Sequence, residues 1–295
     1  ANDKNIRGEH RIMTRDIRLV GFDADDTLWR SEDYYRDAQA EFERIVGTYV
    51  DLEDAHDRLY AVEKRNIALF GYGAKGMTLS MIEAAVEITE SRISAQDVHR
   101  IVALGKSLLQ HPVELLPGIR DAVEEIAREH PVVLITKGDL FHQEAKVRES
   151  GLSDLFRRIE IVSEKDTATY SRLLVEFALA PNQFAMIGNS LRSDIVPVLE
   201  LGGCGVYMPY RVTWAHETET APPSALERLR SVSEPSAVRN GPGSTGGMEV
   251  SMGDRTERVQ RQSYRAVAGT TLATLSMVTW YRSSSPKPSI RMELK

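Results

Sequence analysis

The 295-residue chain has one cysteine, Cys204, so it can form neither an internal disulfide nor a multi-cysteine zinc site. That scarcity suits a reducing compartment and predicts a cytoplasmic protein. No secretory signal is expected, because Ala1 to Arg18 is charged and contains no apolar core segment. Long hydrophobic runs are scarce as well. The most membrane-like stretch, Ala266 to Tyr281, is short and broken by five threonines or serines, so it is read as non-spanning, with no membrane partner. An excess of positive charge is also missing, and a formal net charge of -6 argues against a general nucleic-acid binder. What is present is ordinary globular composition, 42% hydrophobic and 27% charged, in a chain long enough for one or two domains with a sizeable core.

Periodicity divides the chain into three kinds of segment. Ile17 to Phe22 is a short apolar run that stops at an acidic turn, which predicts a buried strand. From Asp33 to about Gln110 the spacing turns helical: Tyr34, Ala38, Phe42 and Ile45 recur on one face, as do Ile82, Ala85, Val86 and Thr89. Ser94 and Asp97 form a capping-box variant, and Gly71 to Gly76 reads as a loop between helices. Pro117-Gly118 opens a helix ending near Glu129. Strands at Val132 to Thr136, Ile159 to Val162, Phe184 to Ile187 and Gly205 to Met208 then alternate with helices at Leu140 to Glu149, Tyr170 to Leu179 and Ser193 to Leu201. Such alternation predicts an α/β fold, a Rossmann-like parallel sheet with helices on both faces, plus an all-helical insertion after the first strand. The expected division is a core of residues 13–30 and 115–229, with Met13 opening the regular pattern, and an insertion of residues 31–114. Residues 230–295 form a Ser-, Gly- and Arg-rich tail of weak periodicity, within which Tyr264 to Tyr281 is open between strand and helix.

The chemistry concentrates at strand ends. Asp23-Ala24-Asp25-Asp26-Thr27-Leu28 follows the first strand at once, and in parallel sheets ligands bind at the carboxyl ends of strands. Two carboxylates two residues apart can share a cation, and their neighbours can drive their pKa values apart, so that one is a nucleophile and the other an acid or base. An acidic turn of this kind also serves as a helix cap.

These residues resemble the first motif of the haloacid dehalogenase superfamily, an apolar strand ending in Asp-x-Asp-x-Thr. Three further motifs follow in order: Thr136 in Val-Leu-Ile-Thr-Lys-Gly, Lys165 in Val-Ser-Glu-Lys-Asp, and Gly188-Asn189-Ser190-Leu191-Arg192-Ser193-Asp194. The resemblance covers roughly residues 17 to 215. It implies a magnesium-dependent phosphatase of small phosphorylated metabolites, with Asp23 as nucleophile, Asp25 as acid and base, Thr136 and Lys165 on the phosphoryl group, and Mg2+ held by Asp23, the Asp25 carbonyl, Asn189 and Asp194. Asn189 departs from the usual pattern by standing where an Asp is common, which removes a charge from the metal site. Asp194 would then carry more of the metal binding.

The insertion resembles the superfamily's helical cap. Lys75 and Tyr72 at its glycine break, Trp29 at the hinge and Lys137 after the motif threonine are candidate substrate contacts, although a loop lysine often points elsewhere. Lys146, inside a predicted helix, is assigned to the surface. Three relatives of the leading reading stay open: a 2-haloacid dehalogenase, against which Asp25 argues; a phosphomutase; and a non-catalytic binding protein on the same scaffold. Oligomeric state is open, with a homodimer among the options.

Overall fold

The computed structural model describes residues 17–51 and 55–211, together with the backbone of 257–268, 271–282 and 289–294. The expected boundary at Met13 lies outside these residues.

The apolar run Leu19–Phe22 forms β1 and is buried along its whole length. It is flanked by two parallel neighbours, β2 (Val132–Lys137), in register Val20↔Val132, and β4 (Phe184–Gly188), in register Leu19↔Phe184. β3 (Arg158–Val162) and β5 (Cys204–Tyr207) complete a five-stranded parallel sheet in the order β3-β2-β1-β4-β5. Strand side chains alternate between faces, and here the alternation divides two cores. Val20, Phe22, Val132, Leu134, Ala185 and Ile187 meet Ile119, Val123 and Val147 on one face. Leu19, Val133, Ile135, Phe184 and Met186 meet Tyr170, Leu173 and Leu174 on the other. The first set of partners lies on α5 (Ile119–Glu129) and α6 (Leu140–Ser150), and the second on α7 (Thr167–Glu176). Each fully buried aliphatic or aromatic side chain stabilises the fold by about 1.5–3 kcal/mol, which is why the strand ends are held rigidly enough to present a site.

Between β1 and α5 the chain makes four helices, Glu32–Val46, Ala55–Phe70, Ala74–Ile88 and Ala95–Gln110. Phe42, Ile45, Leu59, Met81 and Ile101 give them a core of their own. The outgoing and returning strands of chain lie side by side, because Arg30 N donates to Glu114 O at 3.0 Å and Leu116 N to Leu28 O at 2.9 Å.

Several boundaries differ from the sequence reading. The glycine break is shorter than expected: Gly71 to Tyr72 to Gly73 is the turn, and Lys75 and Gly76 already belong to the third helix. α7 begins at Thr167, where Asp166 accepts from Thr169 N at 2.7 Å and caps it. The helix expected from Ser193 starts as a π turn over Leu191–Ile195 and continues as the short helix α8, Val196–Glu200.

Within the expected tail, β6 (Glu257–Ala268), β7 (Thr271–Arg282) and β8 (Ser289–Leu294) add antiparallel strands at the β5 edge. Tyr264 to Tyr281 is therefore a hairpin, with Ala268 opposite Thr271. Among the described residues no helix is long and apolar enough to cross a membrane.

Candidate active site

The loop after β1 turns tightly because the carbonyl of Ala24 accepts from Leu28 N at 2.7 Å and Thr27 N at 3.2 Å. Ala24 and Leu28 are buried beneath it. Asp23 and Asp25 flank Ala24 and line a cavity of about 460 Å3 between the sheet's carboxyl ends and the first three inserted helices. Asp26, at φ 61°, turns away from the chemistry and caps the first inserted helix, accepting from Ser31 N at 2.9 Å and Glu32 N at 3.1 Å. Burial, with Asp25 adding to it, pushes its carboxyl up to about 7.

Asp23 sits in the drier half of the site. Its Oδ1 accepts from the Lys165 ammonium, and its Oδ2 accepts from Thr27 Oγ1 at 3.0 Å. Lys165 is also held by Asp194 Oδ1 at 2.7 Å, while Asp194 Oδ2 accepts from Ser190 N at 2.9 Å. This close packing explains Gly188, since a β-carbon there would lie 2.2 Å from Asp194 Oδ2. Burial raises the Asp23 carboxyl against the opposing pull of Lys165. Burial also works against the Lys165 charge, but Asp194 and Asp23 outweigh it and hold the ammonium well above its usual range.

Asp25 has different company. Its Oδ1 accepts from Trp29 Nε1 at 2.7 Å and from Lys146 Nζ at 2.6 Å, and its Oδ2 from Gln143 Nε2 at 3.1 Å. Burial would raise its carboxyl, yet Lys146, Trp29 and Gln143 together bring it below the usual carboxylate range. Thr136 stands at the end of β2, 1% exposed, and its Oγ1 accepts from Gln143 Nε2 at 2.6 Å.

Three polar groups converge beside Asp23 in a way that suits a hard cation. One terminal atom of the Asn189 amide lies 3.1 Å from Asp23 Oδ2 and 3.2 Å from the carbonyl oxygen of Asp25. As a nitrogen it donates to both; as an oxygen it accepts from Thr27 Oγ1 at 3.3 Å and sits beside two further oxygens. Adjacent ligands of an octahedral magnesium ion, each about 2.1 Å from it, lie about 3.0 Å apart, so these spacings fit the edge of such a shell. Among the described residues no group of three His, Cys, Asp or Glu side chains is set to hold a metal. The donor set is one carboxylate, one backbone carbonyl and one amide, which suits magnesium and not a soft metal. Asp194, expected as a fourth ligand, has Oδ1 on the same Lys165 ammonium as Asp23 and Oδ2 on the backbone N–H of Ser190.

Other expectations divide in the same way. Lys137 does face the cavity, 2.8 Å from Ser193 Oγ, 3.4 Å from Glu164 Oε1 and over the Tyr72 ring. Lys75 does not line it; its ammonium pairs with Asp139 at 2.9 Å and lies over Phe141 at the surface. Trp29 is 1% exposed and packs in the core, so it touches Asp25 and not a substrate. Lys146, assigned to the surface, is 8% exposed and pairs with Asp25. Gln143 was missed altogether. A usable signal existed: Gln143, Lys146, Val147 and Ser150 fall at i, i+3, i+4 and i+7, so a lysine lay on the buried stripe of α6.

The family model of the haloacid dehalogenase-like hydrolases matches residues 17–199. A haloacid dehalogenase-like family hydrolase from Xanthomonas campestris is 57% identical over 74% of this chain and 94% of its own, with a TM-score of 0.64. A protein from Haemophilus somnus 129PT, described as a predicted phosphoglycolate phosphatase, is 19% identical over 70% of this chain and 92% of its own, with a TM-score of 0.48. A 2-haloacid dehalogenase from Pseudomonas syringae is 20% identical over 72% and 99%, with a TM-score of 0.47. These last two likenesses are too slight to carry an argument about chemistry. No match was found among curated proteins. With the motif residues brought together at adjacent strand ends and the family model spanning them, the chain belongs to the haloacid dehalogenase-like hydrolases.

Proposed function

We propose that this hydrolase is a magnesium-dependent phosphatase that releases phosphate from a small phosphorylated metabolite through an aspartyl-phosphate at Asp23. The observation that carries the reading is the second carboxylate, Asp25, two residues from the first and lining the same cavity, while its backbone carbonyl lies with Asp23 and Asn189. A dehalogenase needs no acid at that place.

In this reading Asp23 attacks phosphorus and the bond to the leaving oxygen breaks, with Asp25 supplying the proton. Water then attacks phosphorus, its proton passes to Asp25, and the bond to the Asp23 oxygen breaks, releasing phosphate and restoring the Asp23 carboxylate. Lys165 keeps its ammonium on Asp23 and offsets the negative charge gathered there. Thr136 receives a hydrogen bond from Gln143 and donates a long one, 3.3 Å, to the carbonyl of Lys137, a contact that a phosphoryl oxygen would replace. Lys137 reaches the same space. Asp23, the Asp25 carbonyl and Asn189 would hold the magnesium ion, which when bound neutralises charge on the transferring group. The helices of residues 31–114 act as a cap that excludes water and selects the leaving group. The cavity of about 460 Å3 suits a metabolite better than a polymer.

The test is release of phosphate from para-nitrophenyl phosphate and a panel of sugar and nucleotide phosphates, with magnesium and with chelator. Turnover that requires magnesium on at least one of them is expected; none on any sinks the reading. Halide release from 2-chloropropionate without metal would put a dehalogenase in its place. Asn189→Asp, which adds a charge to the oxygen cluster, should tighten magnesium about tenfold, and an unchanged affinity would remove Asn189 from the metal site.

A further inference from the structure

The buried face of α6 carries His142, Gln143, Lys146 and Ser150 beside Val147, and two of these, Gln143 and Lys146, reach Asp25. Gln143 is 2% exposed and Lys146 8%, beside the buried Val147 and Ser150. Neither lies in one of the four motifs, and both converge on Asp25. Gln143 Nε2 is 3.1 Å from Asp25 Oδ2, 2.6 Å from Thr136 Oγ1 and 2.8 Å from the carbonyl of Lys137, so one amide ties the second carboxylate to the threonine at the end of β2. Lys146 holds the opposite oxygen of Asp25 at 2.6 Å, where Trp29 Nε1 joins it at 2.7 Å. The backbone is shaped for this contact: Gly138 has φ 136°, and a β-carbon there would press on Gln143 at 3.2 Å. Burying a lysine and an amide is unfavourable unless they are hydrogen-bonded; here Lys146 is used on Asp25, and Gln143 on Asp25, Thr136 and the carbonyl of Lys137.

We propose that Lys146 and Gln143 are positioning residues for proton transfer: they fix the Asp25 carboxylate at a set distance from the phosphoryl site marked by Thr136, so that the leaving oxygen meets it in one place. The inference rests on the phosphatase reading. It assigns to α6 the task of aiming the acid, separate from the charge neutralisation carried by Lys165. Three donors on two oxygens leave the Asp25 carboxylate little rotational freedom, and without Lys146 the oxygen it holds would keep only Trp29.

A leaving-group series separates aiming from mere support. Single-turnover release of the phenol is measured by rapid quench for phenyl phosphate, whose leaving group needs a proton, and for 2,4-dinitrophenyl phosphate, whose leaving group does not. Lys146→Met and Gln143→Leu should slow phenyl phosphate by about a hundredfold and dinitrophenyl phosphate by no more than about threefold. Lys146→Arg, which returns a donor, should recover most of the loss. Equal losses on both esters, in variants that melt as folded proteins, overturn the inference, because a structural role slows both alike. So does a Lys146→Arg variant no better than Lys146→Met. If the wild-type protein releases neither phenol, the phosphatase reading itself fails, whereas normal wild-type turnover with an unaltered series in the variants removes only the role of α6.

Discussion

Asp23 and Asp25 leave the same strand end with one residue between them, yet they live in different surroundings. The Asp23 side is closed: the side chains of Asp23, Lys165 and Asp194 are 9%, 2% and 1% exposed. The Asp25 side is half-open, with Asp25 itself 31% exposed and Lys146 10%. Burial wins at Asp23 and raises its carboxyl, whereas at Asp25 the donors Lys146, Trp29 and Gln143 overcome burial and lower it. Identical side chains therefore acquire separate electrostatic characters from what packs against them.

The largest effect should come from Asp23→Asn. Loss of the attacking oxygen is expected to lower turnover by at least about ten-thousandfold while the fold persists; steady-state phosphate release reads it. Residual turnover above a hundredth of wild type would move the nucleophile elsewhere and end the comparison on its closed side.

Asp194→Asn should weaken the same side through stability. It leaves the buried Lys165 with one carboxylate where it had two, at a cost of about 3 kcal/mol, read as the shift in urea midpoint at constant slope. Lys146→Met, on the half-open side, should cost less than Asp194→Asn in the same experiment. If the two variants lose equal stability, the contrast between a closed and a half-open carboxylate is wrong.

A smaller effect concerns pH. His142 lies next to the Asp25 side, where burial and then Lys146 lower its imidazole to about 4. The unfolded chain takes up this proton near the usual 6.5 and the folded protein does not until about 4, so between those values the unfolded state binds more protons. Stability should therefore fall as pH drops from about 6.5 towards 4, by about 1 kcal/mol from this group once solvent screening is allowed for. Denaturation of wild type and His142→Gln at pH 7 and pH 4.5 checks it, and an equal fall in both proteins would clear His142 of the effect.

How much of this was readable in the residues varies with distance along the chain. The strand-end motifs were legible because each is local: an apolar run, then the candidate side chain at or just past the strand end, then a turn, as at Phe22-Asp23 and Ile135-Thr136. Lys165 was found because it belongs to a short motif, and it does meet Asp23. The helical spacing of residues 34 to 45 led directly to the first inserted helix. Trp29 was misplaced because its neighbours in sequence said hinge, while the bridge between Trp29 and Leu115 turns it into the core. Lys75 was misplaced because the turn ends at Gly73 and its side chain then starts from a helix, within reach of Asp139.

The sequence by itself determined the alternation of strands and helices, the long helical insertion and the order in which four functional strand ends occur, since these depend on local period and on turns. Only the tertiary structure decided which polar groups share Asp25. Gln143 and Lys146 lie more than a hundred residues from it along the chain, and they reach it because β1 and β2 pair side by side, so that α6, which follows β2, lies next to the loop after β1. Helical spacing can bring a lysine to a buried face; what it meets there depends on which strands become neighbours, and that is fixed by the packing of the whole sheet.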